Sequence, residues 1–231
     1  MSGFYLRGAI VEFMPTPLIP IPNIIVFQYN PETMSHAWTQ PEAPKAGPNQ
    51  TTTNPLAVEG NPGESFSFTL SMDAADSIAD GGASGALASV TGIASRLAAL
   101  EMLLFPSSDS EKGLLGTVTA ALGGGGASQK RKVPASTINT CLFVWGPGRI
   151  VPVRLTALTV TERIYDTLLI PVKAEAQVTL RALTDEELKH NTDTLKDLAN
   201  VANTYTHGLR QALAVANLVN AADSILGMLP I

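Results

Sequence analysis

Cysteine is nearly missing from this chain of 231 residues. Cys141 stands alone, so the sequence holds neither an internal disulfide nor a paired-thiol zinc or redox motif. Histidine is almost as scarce, and His36, His190 and His207 sit in no recognisable motif. There is no Gly-x-Ser-x-Gly elbow, no His-Glu-x-x-His pair and no Cys-x-x-Cys, so catalysis has no support in the sequence. Charge is low as well, at 15% of residues. The balance of 15 basic against 20 acidic groups gives a net charge of −5 and no field that would attract nucleic acid. The basic run from Gln129 to Lys132 is local.

Long apolar runs are also lacking. The two most apolar stretches, Ala83 to Phe105 and Gly208 to Ile231, are broken by Arg96 and Glu101 and by Arg210 and Asp223, so neither reads as a membrane span. Met1 to Phe13 carries Arg7 and Glu12 inside its apolar stretch and lacks the layout of a signal peptide, which predicts synthesis in the cytosol without signal-directed export. Gly123 to Gly126 form a row, but no Gly-Lys-Ser/Thr step follows to make a phosphate loop. Asp73, Asp76 and Asp80 lack the spacing of a calcium loop and read as the solvated start of a helix. No cofactor and no metal is expected.

What the chain does have is strand periodicity and, at 45% hydrophobic residues, enough apolar material for a sizeable core. From Val172 to Ala182, apolar Val172, Ala174, Ala176, Val178, Leu180 and Ala182 alternate with polar Lys173, Glu175, Gln177, Thr179 and Arg181. Side chains of a strand point alternately to its two faces, so this register buries one row and leaves the other in water or against a partner. Phe66, Phe68, Leu70 and Met72 alternate in the same way with Ser65, Ser67, Thr69 and Ser71. Further strands are expected over Gly3 to Phe13, Ile24 to Tyr29 and Met34 to Trp38, and nearly throughout Ile138 to Leu183. Within the strand that begins at Ile150 the apolar parity changes near Ala157 and Leu158, which predicts a bulge there.

Helical spacing replaces the period of two at Leu87, Val90, Ile93, Leu97, Leu100 and Leu104, which predicts one helix flanking the sheet and stopped by Pro106. Thr184 and Glu187 form a capping box that opens a helical tail. The tail places Leu209, Leu213, Ala216, Leu218, Val219, Ala222, Leu226 and Leu229 near one face, suited either to a neighbouring subunit or to the chain's own barrel. Residues 41–63 and 107–136 lack core periodicity and read as flexible excursions. The fold class is therefore α+β: a mainly antiparallel β-barrel over residues 1–183 and a helical extension over 184–231.

Two stretches, taken together, resemble a known family. Phe27, Gln28, Tyr29, Asn30, Pro31 and Glu32, followed by a strand ending near Trp38, resemble the opening of the contractile injection system tube-protein domain. Trp145 and Gly146, then Pro152 and Val153, then Glu162, then Pro171 with the strand after it, resemble that domain's closing half in the same order. The family includes the LysM-bearing tube-initiator or spike-adaptor components of phage-tail-like particles. The resemblance implies a tail-tube type of β-barrel, a homohexameric ring between spike hub and inner tube, and no enzyme activity. Its partners would be the inner tube protein, the spike or hub protein and other baseplate proteins, with no nucleic acid and no membrane span. The particle would be cytoplasmic or released from the cell. Here Leu183 leads into a helical tail with no LysM pattern. A tube-associated secreted binding module or cargo carrier is the alternative, and a small-ligand barrel would require an internal cavity.

Overall fold

The computed structural model describes residues 6–14, 21–42, 56–58, 60–105, 138–190 and 196–228. Its strands are β1 (Ala9–Met14), β2 (Ile21–Val26), β3 (Met34–Thr39), β4 (Gly63–Asp73), β5 (Cys141–Val144), β6 (Ile150–Tyr165) and β7 (Pro171–Ala182). The helices are α1 (Ala74–Asp80), α2 (Gly82–Thr91), α3 (Ala94–Met102), α4 (Asp185–His190) and α5 (Lys196–Met228). The strands make one sheet in the order β2-β1-β5-β6-β7-β4-β3, and every neighbouring pair is antiparallel. The chain is thus a mixed α+β protein.

The two end strands of that sheet are consecutive in the chain. Only residues 27–33 separate β2 from β3, whereas seven flat strands at about 4.8 Å spacing would hold their outer members about 29 Å apart. Phe27, immediately after β2, has its ring 5.5 Å from that of Phe68 in β4, one strand in from the opposite end. The sheet must therefore curl until its ends face each other. It does not close, since no ladder joins β2 to β3 among the described residues, and the expected barrel is here a curled open sheet. Side chains and a helix occupy the gap in place of backbone hydrogen bonds.

The alternation read in β4 and β7 sorts the two faces. Phe66, Phe68, Leu70 and Met72 are buried, as are Ala174, Ala176, Val178, Leu180 and Ala182. The register sets Phe66 opposite Leu180 and Phe68 opposite Val178. Phe143 of β5 stacks on Phe68 at 5.6 Å and meets Phe66 at 5.2 Å, so the concave side is filled by aromatic rings. The expected bulge in β6 is present as a register shift between Leu155 and Ala157. At the β6–β7 turn Asp166 Oδ1 accepts hydrogen bonds from the amides of Leu168 and Ile170, which fixes the reversal.

The helical segment departs from the single flanking helix that the spacing predicts. Three short helices stand there, and α2 and α3 meet at 92°. The break falls at Gly92, whose φ of 56° suits glycine, and a Cβ there would lie 2.3 Å from the carbonyl oxygen of Pro171. That carbonyl accepts the amide of Ile93 at 3.0 Å, which pins the start of α3 to the start of β7. The bend turns Ile93, Leu97 and Leu100 into the core and leaves Leu87 and Val90 outside. Asp73 caps α1 by accepting the amide of Ala75, the helix-start role read for the acidic cluster. The capping box forms as well, with the Glu187 amide donating to Thr184 Oγ1 and the Thr184 amide donating to Glu187.

Residues 43–55, 59 and 106–137, which hold most of the two expected excursions, lie outside the described residues. The tail expected over 184–231 begins as α4 and continues as α5, which packs on β6 through its first half, burying Ala199, Ala202 and Thr206.

Two outcomes follow from this packing. Gly92→Ala must shift either β7 or α3, and should cost about 2 kcal/mol or more in denaturant melts; an unchanged midpoint would mean that the Gly92 and Pro171 backbones are not held together. Cys141 is buried, and burial, with the Glu12 carboxylate adding to it, pushes its thiol up to about 12. The native protein at pH 8 should resist maleimide labelling and take up one equivalent once unfolded.

Candidate functional site

The residues of the resemblance converge on the gap between the sheet's ends. Phe27 enters the ring cluster between Phe68 and Trp145. Gln28 spans from the connector to the end of β4: its amide nitrogen donates to the Asp73 carbonyl at 2.8 Å, while its amide oxygen accepts the Asp73 amide at 3.0 Å. The same oxygen receives the Arg96 guanidinium at 2.6 Å, which draws α3 into the junction. The Tyr29 hydroxyl donates to Asp76 of α1. Asn30 holds the segment before β1 by accepting the Gly8 amide at 2.9 Å and donating to the Leu6 carbonyl at 2.8 Å. Four consecutive residues therefore reach five other parts of the chain: the segment before β1, β4, α1, α3 and Trp145.

The second group of motif residues divides. Trp145 packs on Phe27 and Phe143, and Gly146 takes the positive φ of 68° that starts the turn into β6. Pro152 and Val153 are fully buried, and the Pro152 carbonyl accepts the Leu183 amide at 2.9 Å, fixing the exit from β7. Pro171 is the residue whose carbonyl pins α3. Glu162 lies apart from these, on the exposed outer stretch of β6, hydrogen-bonded to Tyr165. Pro31 and Glu32 line an open groove of about 710 Å³ beside Tyr29, Lys173 and Glu175. Three of its four acidic groups are engaged: Asp73 caps α1 and pairs with Lys173 at 3.5 Å, Asp76 accepts the Tyr29 hydroxyl, and Glu175 takes a two-point contact from Arg163.

A second junction lies where α5 meets the sheet. Glu64, buried at the start of β4, accepts two bonds from Arg210 of α5 and pairs with His36 of β3 at 2.7 Å. The Arg210 guanidinium lies 4.7 Å from the centre of the Trp38 ring, and the His36 ring stacks on Phe66 at 4.6 Å. Arg149 sits over Phe66 as well; burial lowers its pKa, Glu64 counters that and Arg210 reinforces it. Nearby, Thr206 of α5 accepts the Ile150 amide and donates to the Ile150 carbonyl, so the helix is latched to β6 by backbone groups too. Across the sheet the buried Glu12 carboxylate is satisfied by the side-chain amides of Asn23 and Asn139.

Sequence reasoning missed the pairing of Glu64 with Arg210, because 146 residues separate them and neither sits in a local pattern. It also missed Gly8, where a Cβ would lie 2.7 Å from Trp145 and 2.8 Å from Phe27. A glycine inside a strand-like run is the signal that could have marked that close approach. Among the described residues no group of three or more His, Cys, Asp or Glu side chains could hold a metal ion. The arrangement holds polypeptide segments in register, and what it presents outward is surface: two sheet edges, the β6–β7 turn with exposed Leu168 and Leu169, and the outer part of α5.

No protein-family model matches the chain, and no curated protein matches it either.

If Gln28 carries the junction, Gln28→Leu leaves the Asp73 amide and carbonyl without their partner and strips Arg96 of its acceptor. Stability should fall by about 1–3 kcal/mol in urea unfolding, whereas Glu162→Gln on the exposed arm should stay within about 0.5 kcal/mol. Equal effects from the two substitutions would remove the special role given to the connector.

Proposed function

We propose that this protein is a structural component of a contractile injection system, the ring at the baseplate end of the inner tube that adapts the spike hub to the tube. The observation that carries this reading is the convergence of the resembling residues. Segments more than a hundred positions apart, Phe27 to Asn30 and Trp145 to Pro171, supply the rings and hydrogen bonds that hold one curled antiparallel sheet at its gap. Residues with that task carry a fold, which is what a shared pattern of this kind would preserve in a building block. The curled sheet would be the tail-tube type of barrel, completed by its connector rather than by a ladder.

Exposed edges favour the same reading. Among the described residues β2 and β3 each have one unpaired side, and β3, Met-Ser-His-Ala-Trp-Thr, carries no Lys, Asp or Glu to discourage a partner. Such an edge is a liability in a monomer and an assembly surface once symmetry covers it. In this reading the protein transmits the symmetry of the tube to the spike and acts without catalysis, cofactor or metal, partnered by tube, hub and baseplate proteins.

Native mass spectrometry and negative-stain imaging of the purified chain test the ring directly; a hexamer with a central opening is the expected result. Sheath, tube and spike genes are expected beside the gene for this chain, and particles purified from cells that carry them should retain the protein at a fixed copy number. A chain that stays monomeric at high concentration and is dispensable for particle assembly would overturn the proposal.

A further inference from the structure

The guanidinium groups that take part in the fold have acceptors: Arg96 donates to Gln28, Arg163 to Glu175, Arg181 to Glu187 and Arg210 to Glu64. Arg154 stands exposed in water. Arg149 differs from all of these. Its carbonyl accepts the Trp145 amide at 2.8 Å, which fixes the backbone at the entry to β6. Its side chain is half-buried, with the guanidinium carbon 5.4 Å from the centre of the Phe66 ring. A ring face attracts the cation but is a poor acceptor for a planar set of N–H donors. Among the described residues no carboxylate, amide or carbonyl oxygen takes those donors.

The carboxylate that could serve Arg149 is already taken. Both oxygens of Glu64 receive Arg210, and Oε1 also pairs with His36 at 2.7 Å. Asp185, which lines a small cleft with Arg210 and Trp38, accepts the side-chain amides of Asn61 and Asn203. Burial lowers the pKa of Arg149, Glu64 acts to raise it and Arg210 lowers it further, so these two charges are the ones it feels. Two guanidinium groups against one carboxylate leave one positive charge over, and His36 contributes no negative one. A cation held partly out of water with its donors unmade is costly, and an anion that reached it would remove that cost.

We infer that Arg149 anchors a carboxylate-binding site at the junction of α5 with the sheet. The planar fork of a guanidinium matches the two oxygens of a carboxylate in a two-point contact. Charge selects the monoanion. One carboxylate neutralises the surplus, whereas a phosphate dianion would leave negative charge facing the buried Glu64. The ligand is therefore a carboxylic acid, supplied as a small free acid or as the Asp or Glu side chain of a polypeptide. The junction itself makes no use of the site, since α5 is held by Glu64 and by Thr206. Arg149 would bind a carboxylate whether or not the chain forms a ring.

NMR of the arginine Nε–Hε groups in the full-length protein tests it, with sodium chloride balancing the ionic strength. Sodium acetate supplies the free carboxylate, and a hexaglutamate peptide supplies the polypeptide one. Either should shift the Arg149 signal to saturation. Arg149→Gln, its fold checked by circular dichroism, should weaken the binding roughly tenfold or more, read from the fluorescence of the nearby Trp38 and Trp145. Arg149→Lys keeps the charge and loses the fork, so it should retain only part of the affinity, and it decides the matter if the Gln variant does not fold. Hexaglutamate bound roughly tenfold more tightly than acetate at equal carboxylate concentration would assign the site to an acidic polypeptide segment; binding no tighter than that of acetate would assign it to a free acid. Chloride acting as well as acetate, inorganic phosphate binding more tightly than acetate, or an affinity unchanged in the variants would overturn the inference, as would an Arg149 signal that neither probe moves.

Discussion

The connector from Phe27 to Thr33 sets the shape of everything around it. Seven residues must join the two outermost strands of a seven-stranded sheet, and a trans chain of that length spans at most about 28 Å from Val26 to Met34. A flat sheet would need that chain at full stretch, whereas here the connector bonds to the end of β4, so the sheet curls and its concave side becomes a core that rings from both ends share. Phe27 from one end and Phe66 and Phe68 from the other meet around Phe143 in the middle. Aromatic burial of this size is the main stabilising term, and the polar ties of Gln28 and Asn30 set its register rather than its magnitude. Gln28 satisfies two half-buried backbone groups of Asp73 at the end of β4.

Helix α5 obeys a different constraint. Its inner half is fixed to the sheet by a buried carboxylate, Glu64, held between Arg210 and His36. Ion pairs of this kind contribute little net stability over an apolar substitute, yet they penalise every arrangement that leaves the carboxylate unpaired. The pair therefore specifies where α5 crosses the sheet. Thr206 adds two bonds to the Ile150 backbone and sets the helix lengthwise. Together they fix the crossing of α5 in both directions along the sheet.

Strand periodicity was the most legible part of the chain. The alternation in β4 and β7 predicts the buried rows residue by residue, because a period of two has a single meaning on a half-covered sheet. The parity change at Ala157 predicts the bulge for the same reason. The capping box of Thr184 and Glu187 is read equally well, being a contact between residues three apart. The helices were harder. Leu87, Val90, Ile93 and Leu97 fit one helix by spacing, and only the approach of Gly92 to Pro171, a contact across 79 positions, breaks it and turns Leu87 and Val90 outward. Long-range polar pairs such as Glu64 with Arg210 have no local signature. The motif residues were visible as an ordered set, but their task at the gap depends on the strand order, which periodicity does not encode.

That order also bears on how the molecule could assemble without aggregating. Local pieces form first where the contacts are short in sequence, and the β6–β7 hairpin is one such piece; the pairing of Ile10 with Phe143 must wait for a far longer closure. Until β1 and β2 join, the β5 edge stands open, and afterwards β2 and β3 remain as edges on either side of the connector. Pro22 removes one donor from β2, while the side chains of Ile24 and Val26 stay exposed. Neither β2 nor β3 carries a Lys, Arg, Asp or Glu to discourage a partner strand, so the donor lost at Pro22 is the one such device that the sequence of β2 holds.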